Sequence, residues 1–159
     1  AALANTIDAD LTALYDEPVP VIDPGKVAII GARDLDLGEK DNLRSAGALV
    51  LSMEQVDRIG MVAALEQCIE QVSRDVDGIY LSMDLDALDP RFAPGVGTPV
   101  PGGLTYREGH LACEVVAETG KLIGMDVVEV NPILDEKNQT AKIAVEFACS
   151  ALGSRVWQG

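Results

Sequence analysis

Four short runs of this chain are almost continuously apolar: KVAIIGA (Lys26 to Ala32), GALVLS (Gly47 to Ser52), GIYLSM (Gly78 to Met83) and LIGMDVV (Leu122 to Val128). A strand with one wet face alternates apolar and polar residues, whereas an unbroken apolar run of this length suits a strand covered on both faces. The segments between the runs have helical patterning. MVAALEQCIEQV (Met61 to Val72) repeats at helical spacing, and Ser52 followed by Gln55 is a capping box that opens a shorter helix, with Gly60 between the two. Thr105 and Glu108 form a second box, and the helix it opens closes at Gly120 in the usual C′ position. Lys137 to Val156 and Ala2 to Tyr15 have the pattern of amphipathic helices, and Glu17 to Gly25 that of a surface connection. Strand and helix in alternation imply an α/β protein in which the four runs form a parallel sheet flanked by helices.

A chain of 159 residues, nearly half of them hydrophobic, can bury one sizeable core and fits one domain or one piece of a larger domain. The 26 acidic against 12 basic residues give a net charge of -14, and Lys and Arg are nowhere clustered. A nucleic-acid or anionic-membrane partner is therefore disfavoured, while a cationic substrate is compatible with the charge. Cys68, Cys113 and Cys149 are odd in number and sit in apolar helix-like stretches, which implies buried free thiols rather than disulfides or a zinc site. No apolar run approaches the ~20 residues that span a bilayer, and no signal-peptide pattern is present, so a cytoplasmic location is expected.

The chemistry concentrates in SMDLDALDPRFAPGVGTPVPGGLTYREG, from Ser82 to Gly109. Asp84 and Asp86 lie two apart at the end of an apolar strand, so both carboxylates can project to one side and share a hard divalent cation. The same spacing also serves a solvated turn or the entry to a helix. Asp89 before Pro90 has the simpler character of a turn residue. The following loop holds Gly95, Gly97, Gly102 and Gly103 among prolines, so its backbone is shaped, and Thr98 is a candidate for a hydroxyl directed into a site. No Gly-Lys-Ser/Thr element is present to cradle a phosphate. Two other strand ends carry acids: Arg33-Asp34-Leu35-Asp36 with Glu39 close behind, and Glu129-Val130-Asn131-Pro132. In open parallel sheets ligands bind beyond the carboxyl ends of the strands, where three acidic ends would converge. Capping of following helices would explain Asp34 and Glu39 equally well, but suits Glu129 poorly. His110, the only histidine, sits inside a helix as a surface or packed residue, and nothing supports Ser-His-Asp or Cys-His catalysis.

Taken whole, the Ser82 to Gly109 stretch resembles the second metal signature of the ureohydrolase superfamily, and arginase in particular. GARDLDLGEKDNLRSAG (Gly31 to Gly47) is similar to the arginase segment that meets the amino-acid end of the substrate, and DVVEVNPILDEKNQTAKIAVE is similar to its C-terminal segment. With MEQVDRIG (Met53 to Gly60), the resemblance runs from Lys26 onward. It implies a three-layer α/β fold with a mainly parallel sheet, of which residues 1–159 are the C-terminal portion of a single domain. It further implies manganese-dependent hydrolysis of L-arginine to L-ornithine and urea, with two Mn2+ ions per complete site. By resemblance Asp84 and Asp86 are metal ligands, Asp84 and Glu129 are catalytic, and Glu129 pairs with the substrate guanidinium. Asp36 lies near the α-amino group, Thr98 beside the substrate, and Asp34 and Glu39 around the amino-acid pocket. Leu37 stands where many arginases have another residue. A homo-oligomer, trimer or hexamer, is implied as well.

The resemblance also defines what this chain lacks. The family's site takes histidine and aspartate ligands from GGDH-like, DAHxD-like and NIHG-like segments, and none occurs here, whereas AALANT (Ala1 to Thr6) resembles the helix just beyond them. The isolated chain is therefore expected to be inactive. An agmatinase or another ureohydrolase is the enzymatic rival, and a fragment that keeps the fold without binding metal is the rival of another class.

Overall fold

The computed structural model describes residue 10 and residues 22–157. The expected helix from Ala2 to Tyr15, the AALANT resemblance and the start of the Glu17 to Gly25 connection lie outside the described residues, apart from helical Asp10. A 3-10 turn at Pro24–Lys26, capped by Asp23, leads into β1 (Ala28–Ala32). The chain continues through α1 (Leu37–Ala46), β2 (Leu49–Ser52), α2 (Met53–Ile59), α3 (Met61–Ser73) and β3 (Ile79–Asp84). A 3-10 turn at Leu85–Ala87 and the Gly/Pro loop follow, then α4 (Tyr106–Glu118), β4 (Leu122–Val128) and α5 (Gln139–Ala151).

All four apolar runs are strands and both ladders are parallel, as their continuous hydrophobicity implied. They do not form one sheet, however. β1 pairs with β2, and β3 pairs with β4, as two separate two-stranded ladders. The coverage also differs from expectation. Ile79, Leu81 and Met83 point into a core, while Tyr80 on the alternate face remains 58 % exposed. The reason is that α4 and α5 pack on one face of β3–β4, and no described element lies on the other.

Two cores result. Met83, Leu85, Leu88, Val96, Cys113, Ile143 and Phe147 fill the one beneath β3–β4. Leu51, Val56, Met61, Leu65, Cys68, Leu104 and Ala112 fill the one between β1–β2 and the helices α2 and α3. Helix α4 joins them, presenting Cys113 to the first and Ala112 to the second. Complete burial of Phe147 alone removes on the order of 2 kcal/mol worth of apolar surface from water. His110 packs between α4 and α5, its Nδ1 2.8 Å from the Ser150 hydroxyl and its ring edge-on to Tyr106 and Phe147. Burial lowers its pKa from the ordinary value, which suits a packed histidine.

Both capping boxes form as read: Ser52 with Gln55 opens α2, and Thr105 with Glu108 opens α4. Gly120 follows the end of α4 with φ 64°. The last helix is shorter than its pattern, because Lys137 and Asn138 are left-handed and delay its start to Gln139. Asp135 compensates for the missing side-chain cap by accepting from the backbone N–H groups of Thr140 and Ala141. Cys68 and Cys113 are buried, but Cys149 is exposed. Helix α5 turns Ile143, Phe147, Ser150 and Ala151 inward, which places Cys149 on the outer side.

Candidate active site

Parallel pairing decides which strand ends meet. Asp84, the last residue of β3, is in register with Val128, the last residue of β4, so Asp84 and Glu129 stand side by side at one sheet end. Glu129 adopts a left-handed backbone, φ 68°, a conformation that costs a non-glycine residue roughly 1 kcal/mol. Strain held at a strand end beside other carboxylates is the kind of outlier that function commonly imposes. The segment is pinned just beyond it, where the Asn131 N–H donates to the Gly95 carbonyl at 2.7 Å. Gly97 faces the Glu129 carboxylate: a Cβ there would lie 3.5 Å from Oε2.

Asp84 caps the Leu85–Ala87 turn, accepting from the Asp86 N–H at 3.0 Å, so the helix-entry role is real. It does not account for the charge that gathers here. The Asp84 pKa is raised, first by desolvation and then by the neighbouring charges of Asp86 and Glu129, while the Asp86 N–H partly offsets the rise. Thr98 Oγ1 donates to Asp86 Oδ2 at 2.7 Å, so the hydroxyl expected to face the site orients a carboxylate within it. Asp84, Asp86, Thr98 and Glu129 are therefore brought together.

Asp34, Asp36 and Glu39 are exposed on the neighbouring β1 end. Asp36, not Asp34, is the N-cap of α1: it accepts from the Glu39 N–H at 2.8 Å while Glu39 accepts from the Asp36 N–H at 2.9 Å. The capping expectation was thus two residues out for Asp34 and correct for Glu39. The cap uses one oxygen of each side chain and leaves the other toward solvent.

Three contributors were not visible in the sequence. Asp89 is 5 % exposed and does more than close a turn. Its Oδ1 accepts from the Arg91 Nε and N–H and its Oδ2 from the Gly102 N–H, so it ties the two ends of the Gly/Pro loop. The Arg91 side chain and then these N–H groups hold its pKa down to about 2. Asp126, hidden in the apolar β4 run, lies on the face of β3–β4 that carries Asp84 and accepts from Tyr80 at 3.1 Å and Ser82 at 2.7 Å. The period-two spacing of Tyr80, Ser82 and Asp84 was the available signal. Arg33 is the third, and its partners come from far along the chain.

Among the described residues no group of three or more His, Cys, Asp or Glu side chains is arranged to hold a metal ion. Asp84 and Asp86 offer a partial donor set of hard oxygens, with Asp84 Oδ1 accepting from the Asp86 N–H and Asp86 Oδ2 from Thr98.

The arginase-family sequence profile matches residues 12–153. The chain belongs to the arginase family. It is 50 % identical over 137 residues to the arginase of Bacillus caldovelox, a match that covers 86 % of this chain and 46 % of that protein. The solved structure of the Bacillus caldovelox arginase superposes with a TM-score of 0.93 at 46 % identity, covering 98 % of this chain and 52 % of that one. A structure described as a hypothetical agmatinase from Burkholderia thailandensis superposes with a TM-score of 0.68 at 39 % identity, covering 81 % of this chain and 38 % of its own. The chain spans about half the length of the curated relatives it matches. The fold is accordingly arginase-like α/β, with parallel strands and helices, in part of its extent. Among the described residues no helix is long and apolar enough to cross a membrane.

Proposed function

We propose that residues 1–159 form the C-terminal portion of a single arginase-like domain whose complete form hydrolyses L-arginine to L-ornithine and urea. The observation that carries this reading is the meeting of Asp84, Asp86 and Glu129 at one strand end, where burial and like charge raise the Asp84 pKa. Such a cluster is relieved by a cation. Its all-oxygen donors suit manganese, with Asp84 and Asp86 as ligands and the remaining ligands supplied from the complementary half. Bound there, two manganese ions would acidify water and so provide the nucleophile at neutral pH.

The residues of this chain do the rest. Thr98 fixes the rotamer of Asp86, and Asp84 is held by the Asp86 N–H, so both carboxylates are preorganised. Glu129 pairs with the planar guanidinium and turns its carbon toward the metal side, a charge-assisted contact that a carboxylate makes in bidentate form. Asp36 faces the substrate α-amino group, with Asp34 and Glu39 around the same pocket. By resemblance the complete enzyme is a cytoplasmic homo-oligomer, a trimer or hexamer, with neither nucleic acid nor membrane as a partner.

The span of about half the relatives' length supports the reading as one part of a domain, and among the described residues no element lies over the Tyr80 face of β3–β4. The isolated chain is then catalytically silent. Urea release from arginine with added manganese tests this, for the chain alone and after mixing with the complementary half. Turnover by the chain alone would overturn it.

Agmatine is the rival substrate, because the Asp36–Glu39 pair has a structural task in capping α1 besides any task in a pocket. Rates of the complete enzyme on arginine, agmatine and formiminoglutamate decide the matter. In that enzyme Asp86→Ala should lose manganese and activity together, whereas Glu129→Gln should keep manganese and lose substrate affinity or turnover. Equal metal loss in both variants would refute the assigned roles.

A further inference from the structure

Arg33 follows β1 directly, and its guanidinium is half-buried. Among the described residues it makes no ion pair, and every partner is a backbone carbonyl. Nε and Nη2 donate to the Val100 carbonyl at 2.9 and 2.6 Å. Nη2 also donates to the Asp86 carbonyl at 2.7 Å and the Leu88 carbonyl at 3.3 Å, and Nη1 to the Ala87 carbonyl at 3.4 Å. One side chain thereby grips two segments, the turn that carries Asp86 and the loop that carries Thr98. These are the same two segments that the Thr98–Asp86 hydrogen bond joins through their side chains. Along the chain Arg33 immediately precedes Asp34 and stands three residues before the α1 cap at Asp36.

A cation withdrawn from water without a counter-charge is costly unless its donors are satisfied. A planar fork of five N–H donors meets several carbonyls at fixed angles, which the rotating ammonium of lysine does not reproduce. The arrangement is thus specific to arginine. It holds the backbone of a candidate ligand residue, through its carbonyl and not its carboxylate.

We infer that Arg33 is a positioning residue, fixing the backbone on which Asp86 and Thr98 are carried and so setting the geometry of the metal site from the end of β1. This rests on the manganese reading given above. Residues that orient metal ligands at one remove typically change metal affinity by about 10- to 100-fold when altered.

The experiment is calorimetric titration of the metal-stripped complete enzyme with manganese alone, for the wild type and for Arg33→Met, Arg33→Lys, Asp86→Ala and Lys121→Met. Lys121 is the matched control. Its ammonium also bonds only carbonyls, those of Ser73 and Val76 at 3.2 and 3.3 Å, but at the opposite end of β3–β4. Both Arg33 variants should bind manganese about tenfold or more weakly, with Lys121→Met unchanged. Thermal midpoints measured alongside separate a general loss of stability from a specific loss of metal. If Arg33→Met is recovered unfolded by circular dichroism, Arg33→Lys, which keeps the stem and the charge, carries the decision.

Wild-type affinity in the folded Arg33 variants would overturn the inference, as would equal weakening in Lys121→Met. If Asp86→Ala binds manganese like the wild type, or the wild type binds none, the metal reading itself fails and takes this inference with it. That result is distinct from intact wild-type binding, lost in Asp86→Ala and kept in Arg33→Met, which defeats only the role of Arg33.

Discussion

Gly103→Ala should be one of the most damaging single-methyl additions in the chain, although the Gly103 backbone does not need a glycine for its φ. A Cβ at this position would lie 2.5 Å from the Ala87 carbonyl oxygen, 2.6 Å from the Leu88 carbonyl carbon and 2.7 Å from the Asp89 nitrogen. All three are backbone atoms, so no side chain can rotate aside. Relief requires the 87–89 and 103–104 segments to separate by about 1 Å, which stretches two 2.9 Å hydrogen bonds, Leu104 N–H to the Ala87 carbonyl and Asp89 N–H to the Leu104 carbonyl, beyond useful length. At about 1 kcal/mol net for each bond and about 1 kcal/mol for overpacking, the cost is about 3 kcal/mol. In a domain of this family's size that corresponds to a fall of roughly 6–12 °C in Tm. Thermal and urea unfolding of the complete, metal-stripped enzyme would measure it. The control is Gly102→Ala, where φ is 79° and nothing lies within 4 Å of the added methyl, so the cost is only the left-handed penalty of roughly 1 kcal/mol. Backbone freedom alone would make Gly102 the more sensitive position. If Gly102→Ala is equally or more destabilising, the close-approach reasoning is refuted.

Asp89 should govern part of the acid sensitivity. With its folded pKa lowered to about 2, the group contributes stability that is fully present above its unfolded pKa of about 4 and is lost as pH falls toward 2. Asp89→Asn should therefore flatten the stability profile across that window while lowering stability above it; a parallel profile would count against the assignment. Glu129→Gly should abolish turnover while leaving the apo protein at least as stable, because glycine takes φ 68° without strain and gains back much of the roughly 1 kcal/mol cost. A marked fall in apo stability would mean the carboxylate has a structural task instead.

The parts of the site that could be read from the sequence are those made within a few residues. The Ser52–Gln55 and Thr105–Glu108 boxes close between groups three residues apart, so the residue types and spacing suffice to foresee them. The same locality makes Asp84 and Asp86 recognisable, and the apolar runs leave little choice but strand. Even there, the position of a cap is less secure than its presence: the acid that opens α1 is Asp36, two residues beyond the one expected.

What tertiary structure decided are contacts between segments that fold as separate elements. Arg33 finds carbonyls 53 to 67 residues away, and Thr140 meets the Gly95 N–H across 45 residues. No local spacing encodes these pairings, since they depend on how β1, β3 and α5 dock. The same holds for the division into two ladders, for the Tyr80 face that no described element covers and for the outward turn of Cys149, none of which follows from hydrophobicity alone. Hydrophobic periodicity states which residues must leave water, but not which neighbour will cover them. The sequence by itself determined the strands, the capped helices and the identity of the carboxylates. Parallel register in β3–β4 then set Asp84 beside Glu129, and the Arg33 fork set the turn that carries Asp86, because only packing can bring distant backbone within hydrogen-bond reach.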